Sequence, residues 1–457
     1  MAIHSDKSRE ELLALLEQQA QMIALLLQQM EELKQEILRL KGSKGTPSKL
    51  PTPAPDWVKP NTPAPDPQQK KPRKKRANAF VRPREHPTEE VVHTCAQCPD
   101  CGRALAGGSE YSRRQIIDLP AISLRVIDHI LQARYCGVCH KRCVAAPDLG
   151  DQAVGQSRFG PQIHALVAYL RQVGRLPVRS IAALLSALCG LKVSGGEVMH
   201  LLASVAALGQ SRYEGLQTQL QQSTYVHGDE TGWRENGHNG YLWSFSTPEV
   251  CYFTYPKTRA GHVVTDVLGA HYPGIVVSDF YGGYNTHWGL HQRCWVHLLR
   301  DVHELRIKYP LPGVEDWARR LRDLYDRACA FSSPDRKVRA KARVGFAAEL
   351  VKLATPFVGT GLPQSTLCNR LLQFESELFT FVEYPQVPSE NNAAERSVRP
   401  RVIARKISGG TRSPSGSQTM AVLSSLFATW QLRGEECLGA CRQMLREAQR
   451  RPTPTSA

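Results

Sequence analysis

Between residues 10 and 41 the apolar positions fall at alternating spacings of three and four. Leu16, Ile23, Met30 and Ile37 recur every seven residues, and Leu12, Gln19, Leu26, Leu33 and Leu40 form a second series. Interlocked, they make the seam of a coiled coil, and isoleucine at its first position with leucine at its second favours a parallel pair of helices. Gln19 is a polar break in that seam. Prolines at 47, 51, 53, 55, 60, 63, 65 and 67 then bar helix and sheet alike, so residues 42–90 are read as an extended tether. Residues 110 to 135 alternate apolar and polar, as strands of a small sheet do. From Gly160 to about Leu208 the pattern is helical, interrupted at GRLPVRS and GLKVSGGE in the order of a helix-turn-helix.

After Gln222 the pattern turns β-rich. STYVHGDETGWR, GYLWSFS and VCYFTYP predict a meander of three strands, with a helix following at about 261–268. GIVVSDFYGGY then predicts a short, wholly apolar strand that ends on Asp279. Residues 313 to 383 carry amphipathic helices such as DWARRLRDLYDRACAF. SENNAAERSV, from Ser389, predicts a helix start capped by Ser389 or an asparagine, with Glu395 inside the helix and Glu390 ahead of it.

Charge narrows the partners. The 457 residues carry a formal charge of +16, which favours a polyanion and nucleic acid above all. KKPRKKR, residues 70–76, reads either as a solvated block or as an arm for phosphates. Arg396, Arg399, Arg401, Arg405, Lys406 and Arg412 follow Glu395 and suit a track for a DNA backbone, though a solvated helix face has the same composition. The glycine- and serine-rich run 408–418 matches no nucleotide-binding fingerprint, and none occurs elsewhere, so ATP and NAD chemistry are not supported.

The thirteen cysteines fall partly in close pairs. No secretory signal opens the chain and no apolar run approaches the ~20 residues of a membrane span, so the expectation is a reduced, cytoplasmic protein with cysteines that bind metal. Cys98 and Cys101 form one CxxC knuckle, Cys136 and Cys139 a second, and together they suit one structural Zn2+. Cys95 and Cys143 also stand at ligand spacing, which leaves the set of four open.

Asp229 lies in the first β-rich segment and Asp279 ends the apolar strand. If the two strands are neighbours, the carboxylates repel and call for a divalent cation between them, the core of a two-metal phosphoryl-transfer site. Aspartate before glycine at a strand end is also ordinary turn chemistry. Cys294 and His297 form a CxxH pair that reads better as a brace than as a metal site lacking two ligands, and His227 shares a strand face with Asp229.

The combination of HGDETGWR, VVSDFYGGY, QRCWVHLLRDV and SENNAAERSVRPRVIARKISGGTRSPSGSQT resembles the transposases of the insertion-sequence-sixty-six (IS66) family over nearly the whole chain. The resemblance implies a multidomain α/β protein. Its parts are a coiled coil (1–41), the basic linker (42–90), a zinc ribbon (91–150) and a helical, helix-turn-helix-like DNA-binding region (151–222). A ribonuclease-H-like catalytic domain follows (223–412), with a helical insertion at about 310–385, and then C-terminal helices (413–457). It implies an Asp-Asp-Glu triad of Asp229, Asp279 and Glu395 holding two Mg2+ or Mn2+ ions. The family has aspartate where this chain has Glu390, so Glu390 stays as the alternative third acid. The implied activity is cleavage and transfer of DNA strands at terminal inverted repeats. The implied partners are double-stranded DNA, a second copy of the chain and accessory proteins of the same element. A zinc-bearing DNA-binding regulator, or a nuclease or resolvase with the same fold, is the alternative.

Overall fold

The computed structural model describes residues 83–145 and 149–450. The expected coiled coil, most of the linker and its KKPRKKR run lie outside the described residues. The chain divides into two units, one ending at Ile117 and the other beginning at Asp118.

In the first unit the backbone closes tightly around the CxxC knuckle. Cys98 N–H donates to Arg103 O (2.9 Å), Gly102 N–H to Cys98 O (2.9 Å), and Gln97 bridges antiparallel to Ala104. Arg113 joins Glu90 and Glu110, while Gln115 exchanges hydrogen bonds with the backbone of Glu85.

The second unit begins with a hairpin of β1 (Ala133–Cys136) and β2 (Lys141–Val144). The expected strands between 110 and 132 do not form: those residues carry no ladder, and Ile116, Leu119, Val126 and Ile130 are exposed. Alternation alone cannot make a strand where no backbone partner supplies hydrogen bonds, and Pro120 removes one donor.

Helices α1 (Pro161–Gln172), α2 (Val178–Cys189) and α3 (Gly195–Gln221) follow. A five-stranded sheet is then built from β3 (Tyr225–Glu235), β4 (His238–Ser246), β5 (Cys251–Thr254), β6 (Ile275–Ser278) and β7 (His291–Arg293). Helix α4 (His262–Leu268) precedes β6. The strand order is β5-β4-β3-β6-β7; β3, β4 and β5 pair antiparallel, while β6 lies parallel to both β3 and β7. The β3–β4 turn is the two-residue Asn236–Gly237 with positive φ at both positions (50° and 81°), the Asn-Gly signature that matches strand twist.

Two helical layers complete the unit. Helices α5 (Trp295–Lys308), α6 (Pro312–Ala330), α7 (Arg336–Ala354), α8 (Ser365–Gln373) and α9 (Thr380–Glu383) share a core around Trp295, Trp317 and Phe379. Helices α10 (Asn392–Ser408) and α11 (Pro414–Leu432) return to the sheet, and α12 (Cys437–Arg450) packs on α1 and α3. The expected break between a helical region ending at 222 and a catalytic domain is not a break in packing. Val198, Leu201, Val205, Tyr213 and Leu220 of α3 share one core with Val226, Trp243 and Phe245 of the sheet and Leu426 and Phe427 of α11. Nor are the C-terminal helices an appendage. Ser425 Oγ accepts from Phe253 N–H (2.8 Å) and Thr429 Oγ1 from Cys251 N–H (3.1 Å), so α11 satisfies the open edge of β5.

Candidate active site

The last residues of β3 and β6 in register are His227 and Val277. Asp229 and Asp279 each stand two positions beyond that pair, on strands that run about 4.8 Å apart while paired. Equal offset on parallel neighbours puts both acids on one face. The β3–β6 ladder stops there while β3 goes on pairing with β4 as far as Glu235, so the acids flank the point where the two parallel strands part. Each is oriented by the backbone: Asp229 Oδ1 accepts from Glu230 N–H and Asp279 Oδ1 from Tyr281 N–H, both at 2.9 Å.

The third acid arrives on α10, which covers this face. Asn391 is its N-cap, and its side chain, instead of capping the helix, reaches across to β3. Its Nδ2 donates to Gly228 O (2.6 Å) and its Oδ1 accepts from His227 Nδ1–H (2.9 Å). Its backbone N–H donates to Cys294 Sγ (3.1 Å), and Ser389 O accepts from Trp295 N–H (3.0 Å). Further along, Ser397 Oγ and Ser244 Oγ share a hydrogen bond (2.7 Å), and Ser244 is the β4 partner of Asp229. These bonds fix the first turn of α10, where Glu395 lies, over the Asp229 strand.

Glu395 Oε1 is 3.4 Å from His297 Nε2, on the first turn of α5. That oxygen is buried and has no hydrogen-bond partner. Burial, Glu230, Asp279 and Glu395 together push the Asp229 carboxyl up to about 7. Half-buried carboxylates crowded together with an unsatisfied oxygen fit a divalent cation. Among the described residues no group of three or more His, Cys, Asp or Glu is already gathered tightly enough to hold one.

Glu390 is half-buried ahead of α10, and its charge acts on Tyr325 of α6, whereas Glu395 acts on Asp229. Both members of the CxxH pair lie against α10. Buried Cys294, its thiol pushed up by burial, accepts from the backbone of Asn391, and His297 faces Glu395. His227, pushed down by burial, holds Asn391.

Sequence reasoning did not single out Glu230. It faces away from Asp229, its side chain 2% exposed, accepting from Tyr284 Oη–H (2.6 Å) and from Arg259 Nη2–H (2.5 Å). Arg259 in turn lies over the Tyr281 ring, 3.8 Å from its centroid. The chain Glu230–Arg259–Tyr281 therefore ties the neighbour of one aspartate to the neighbour of the other. Gly228 belongs to this packing, since a Cβ there would meet Tyr284 Cε1 at 2.6 Å. The adjacent acidic pair in HGDETGWR is the signal for Glu230, because strand alternation sends its second acid to the opposite face.

Of the expected DNA-contacting cations, Arg396, Arg399, Lys406 and Arg412 are exposed and Arg405 is half-buried. Arg401 corrects the expectation. It is 3% exposed, donates through Nη1 to Gln172 Oε1 (2.7 Å) and lies against the Phe253 ring. It follows Ala394 and Val398 on the inward stripe of α10, so it cannot meet a backbone at the surface.

Each zinc knuckle stands in its own unit. Backbone N–H groups of Cys101 and Asp100 favour the thiolate of Cys98, and those of Cys139 and Val138 favour that of Cys136, so both thiols are held below their usual range. This is the polarity a metal ligand requires. Cys95 and Cys143 instead donate their S–H to the carbonyls of Gln97 and Lys141.

Two family profiles match the chain. The profile described as "Transposase IS66 family" matches residues 156–419, which contain Asp229, Asp279 and Glu395. The profile "zinc-finger binding domain of transposase IS66" matches residues 96–140 and contains both knuckles. The protein y4jO of Sinorhizobium fredii (strain NBRC 101917 / NGR234), named as uncharacterized, is 31% identical over 163 residues, 35% of this chain. The chain spans about half, 49%, of that relative's length. With its principal profile matching more than half of its residues, the chain belongs to the IS66 transposase family.

Proposed function

We propose that the chain is a metal-dependent DNA transposase of the Asp-Asp-Glu type, acting at the terminal inverted repeats of its own element. The observation that carries this reading is the equal offset of Asp229 and Asp279 beyond the last paired residues of β3 and β6, with Glu395 brought over them by the Asn391 tether. The strand order, three antiparallel strands continued by two parallel ones, supports a ribonuclease-H-like core.

In this reading Asp229, Asp279 and Glu395 hold two Mg2+ or Mn2+ ions, which supply activation of the attacking oxygen and stabilisation of the leaving one. The protein's own groups provide position. Asn391 and His227 set α10 against β3, Arg259 and Tyr281 set the spacing of the aspartate-bearing segments, and His297 orients Glu395. Arg396, Arg399, Arg405, Lys406 and Arg412 draw the phosphate backbone toward the cleft. The knuckles Cys98–Cys101 and Cys136–Cys139 supply the ligands for structural zinc, and the heptad segment pairs two copies so that two DNA ends are held together. Among the described residues no helix is long and apolar enough to cross a membrane.

The test is cleavage and joining of end-containing DNA in Mg2+. Asp229→Asn, Asp279→Asn and Glu395→Gln are expected to bind DNA and not cut it, with Glu390→Gln impaired only. Cutting by any of the first three would break the triad assignment. Joining of the freed 3′ hydroxyl to a target plasmid separates transposase from nuclease.

A further inference from the structure

Beside the proposed catalytic cleft, along the same strand, lies a groove that the triad does not use. It is about 410 Å³ in volume and runs between the end of the β3–β4 hairpin and the last turn of α10. Its lining residues include Arg234, Arg405, half-buried Tyr241, Gly232, Gly240 and Gly409. No carboxylate lines it. Arg405 is aimed by Thr231, whose Oγ1 accepts from Nη1 at 3.3 Å, and a Cβ on Gly232 would stand 3.6 Å from that same Nη1. Arg234 is exposed and, among the described residues, has no ion-pair partner. The position of the α10 end is itself fixed. Thr411 N–H donates to Arg234 O (2.9 Å) and Asn236 N–H to Thr411 O (2.8 Å). This pairing requires Gly410, at φ +100, because a Cβ there would fall 2.2 Å from Arg234 O.

We infer that this groove is a subsite for one nucleotide of a DNA strand. Two guanidiniums without a competing acid select an anion. Bare glycine backbone lets it approach closely, and an aromatic ring offers a face to a base. The volume falls in the range of small-ligand sites, roughly 300–1,000 Å³, and is too small for a duplex. Gly232, Arg234 and Tyr241, the β4 partner of Gly232, alternate to the face that Glu230 occupies, so the groove is reached from the hairpin end rather than across the acids. The subsite rests on the reading of the chain as a DNA-processing enzyme and adds to it a second place where the strand is held.

The experiment measures binding of a fluorescein-labelled dT12 single strand to the full chain against salt concentration. Arg234→Ala with Arg405→Ala is expected to lower the slope of log K against log [salt] by about 1.4, since each lost contact to single-stranded DNA removes ~0.7. Arg234→Lys with Arg405→Lys should restore it. The same double substitution at exposed Arg319 and Arg322 of α6 should leave it unchanged. Gly232→Phe, or Asn239→Trp on the same groove, keeps both cations and fills the space, and each is expected to weaken binding at least fivefold with an unchanged thermal midpoint. An unchanged slope in the double alanine variant, or wild-type affinity with the groove filled, overturns the subsite. Cleavage by Asp229→Asn is read separately. Its persistence would overturn the proposed function and leave the groove measurement standing.

Discussion

Replacing Asn391 by alanine tests how α10 is held on the sheet. The residue is 1% exposed, and the change removes two side-chain hydrogen bonds while leaving its backbone bond to Cys294 Sγ in place. Gly228 O and His227 Nδ1 are then left inside the protein without partners. A buried polar group without a partner costs about 1–3 kcal/mol, so the expected loss is about 2–6 kcal/mol in all. Asn391→Asp keeps the acceptor for His227 but sets an oxygen against Gly228 O and adds charge beside Asp229, so it should cost at least as much. The loss is measured as the shift in the urea unfolding transition, followed through the buried tryptophans Trp233, Trp243, Trp295, Trp317 and Trp430. The same variant should also cut poorly, because a displacement of ~1 Å in a reacting group can cost about 10²-fold in rate. A loss below about 1 kcal/mol together with cleavage near the wild-type rate would refute the claim that Asn391 positions the third acid.

Other outcomes follow from individual groups. Arg401 is a buried cation with no carboxylate partner among the described residues, so Arg401→Met should keep or raise the thermal midpoint and leave DNA affinity unchanged. Loss of affinity in that variant would return Arg401 to the DNA track. Ser425→Ala with Thr429→Val strips two acceptors from the edge of β5 and should cost about 2 kcal/mol, read by denaturation. Asp229 is pushed up to about 7, above its ordinary value, so the fold holds a proton there that the unfolded chain releases. Its contribution therefore falls as pH rises from about 4 toward 7 and is flat above that. Mn2+ should accordingly raise the thermal midpoint more at pH 8 than at pH 5.5, and Asp229→Asn should remove the difference.

The elements that carry the two aspartates were legible because their side chains obey simple periods. β3 and β4 alternate, β6 is a continuous apolar run, and Asn236–Gly237 announces the hairpin between the first two. β7 was not legible. Its three residues are His291, Gln292 and Arg293, polar yet buried, and they are held by bonds to distant partners such as Glu377 and the Leu378 carbonyl. Nothing local encodes such partners. Residues 110–132 failed in the opposite sense, alternating like strands with no neighbour to pair with. In α10 a run of cations in the sequence reads as one face. The helical period instead separates Arg401, inward with Ala394 and Val398, from outward Arg396 and Arg399. The roles of Glu230 and Tyr284 depend on which strand face meets which loop, a tertiary fact that local pattern does not carry.

In the proposed mechanism Asp229, Asp279 and Glu395 form one cation site. Electron paramagnetic resonance of Mn2+ titrated into the full chain with bound DNA counts the ions directly. Two Mn2+ are expected, which Asp229→Asn, Asp279→Asn and Glu395→Gln each lose or bind at least tenfold more weakly, while Glu390→Gln keeps both. Undiminished binding in the three variants, or loss of the ions in Glu390→Gln alone, would contradict it.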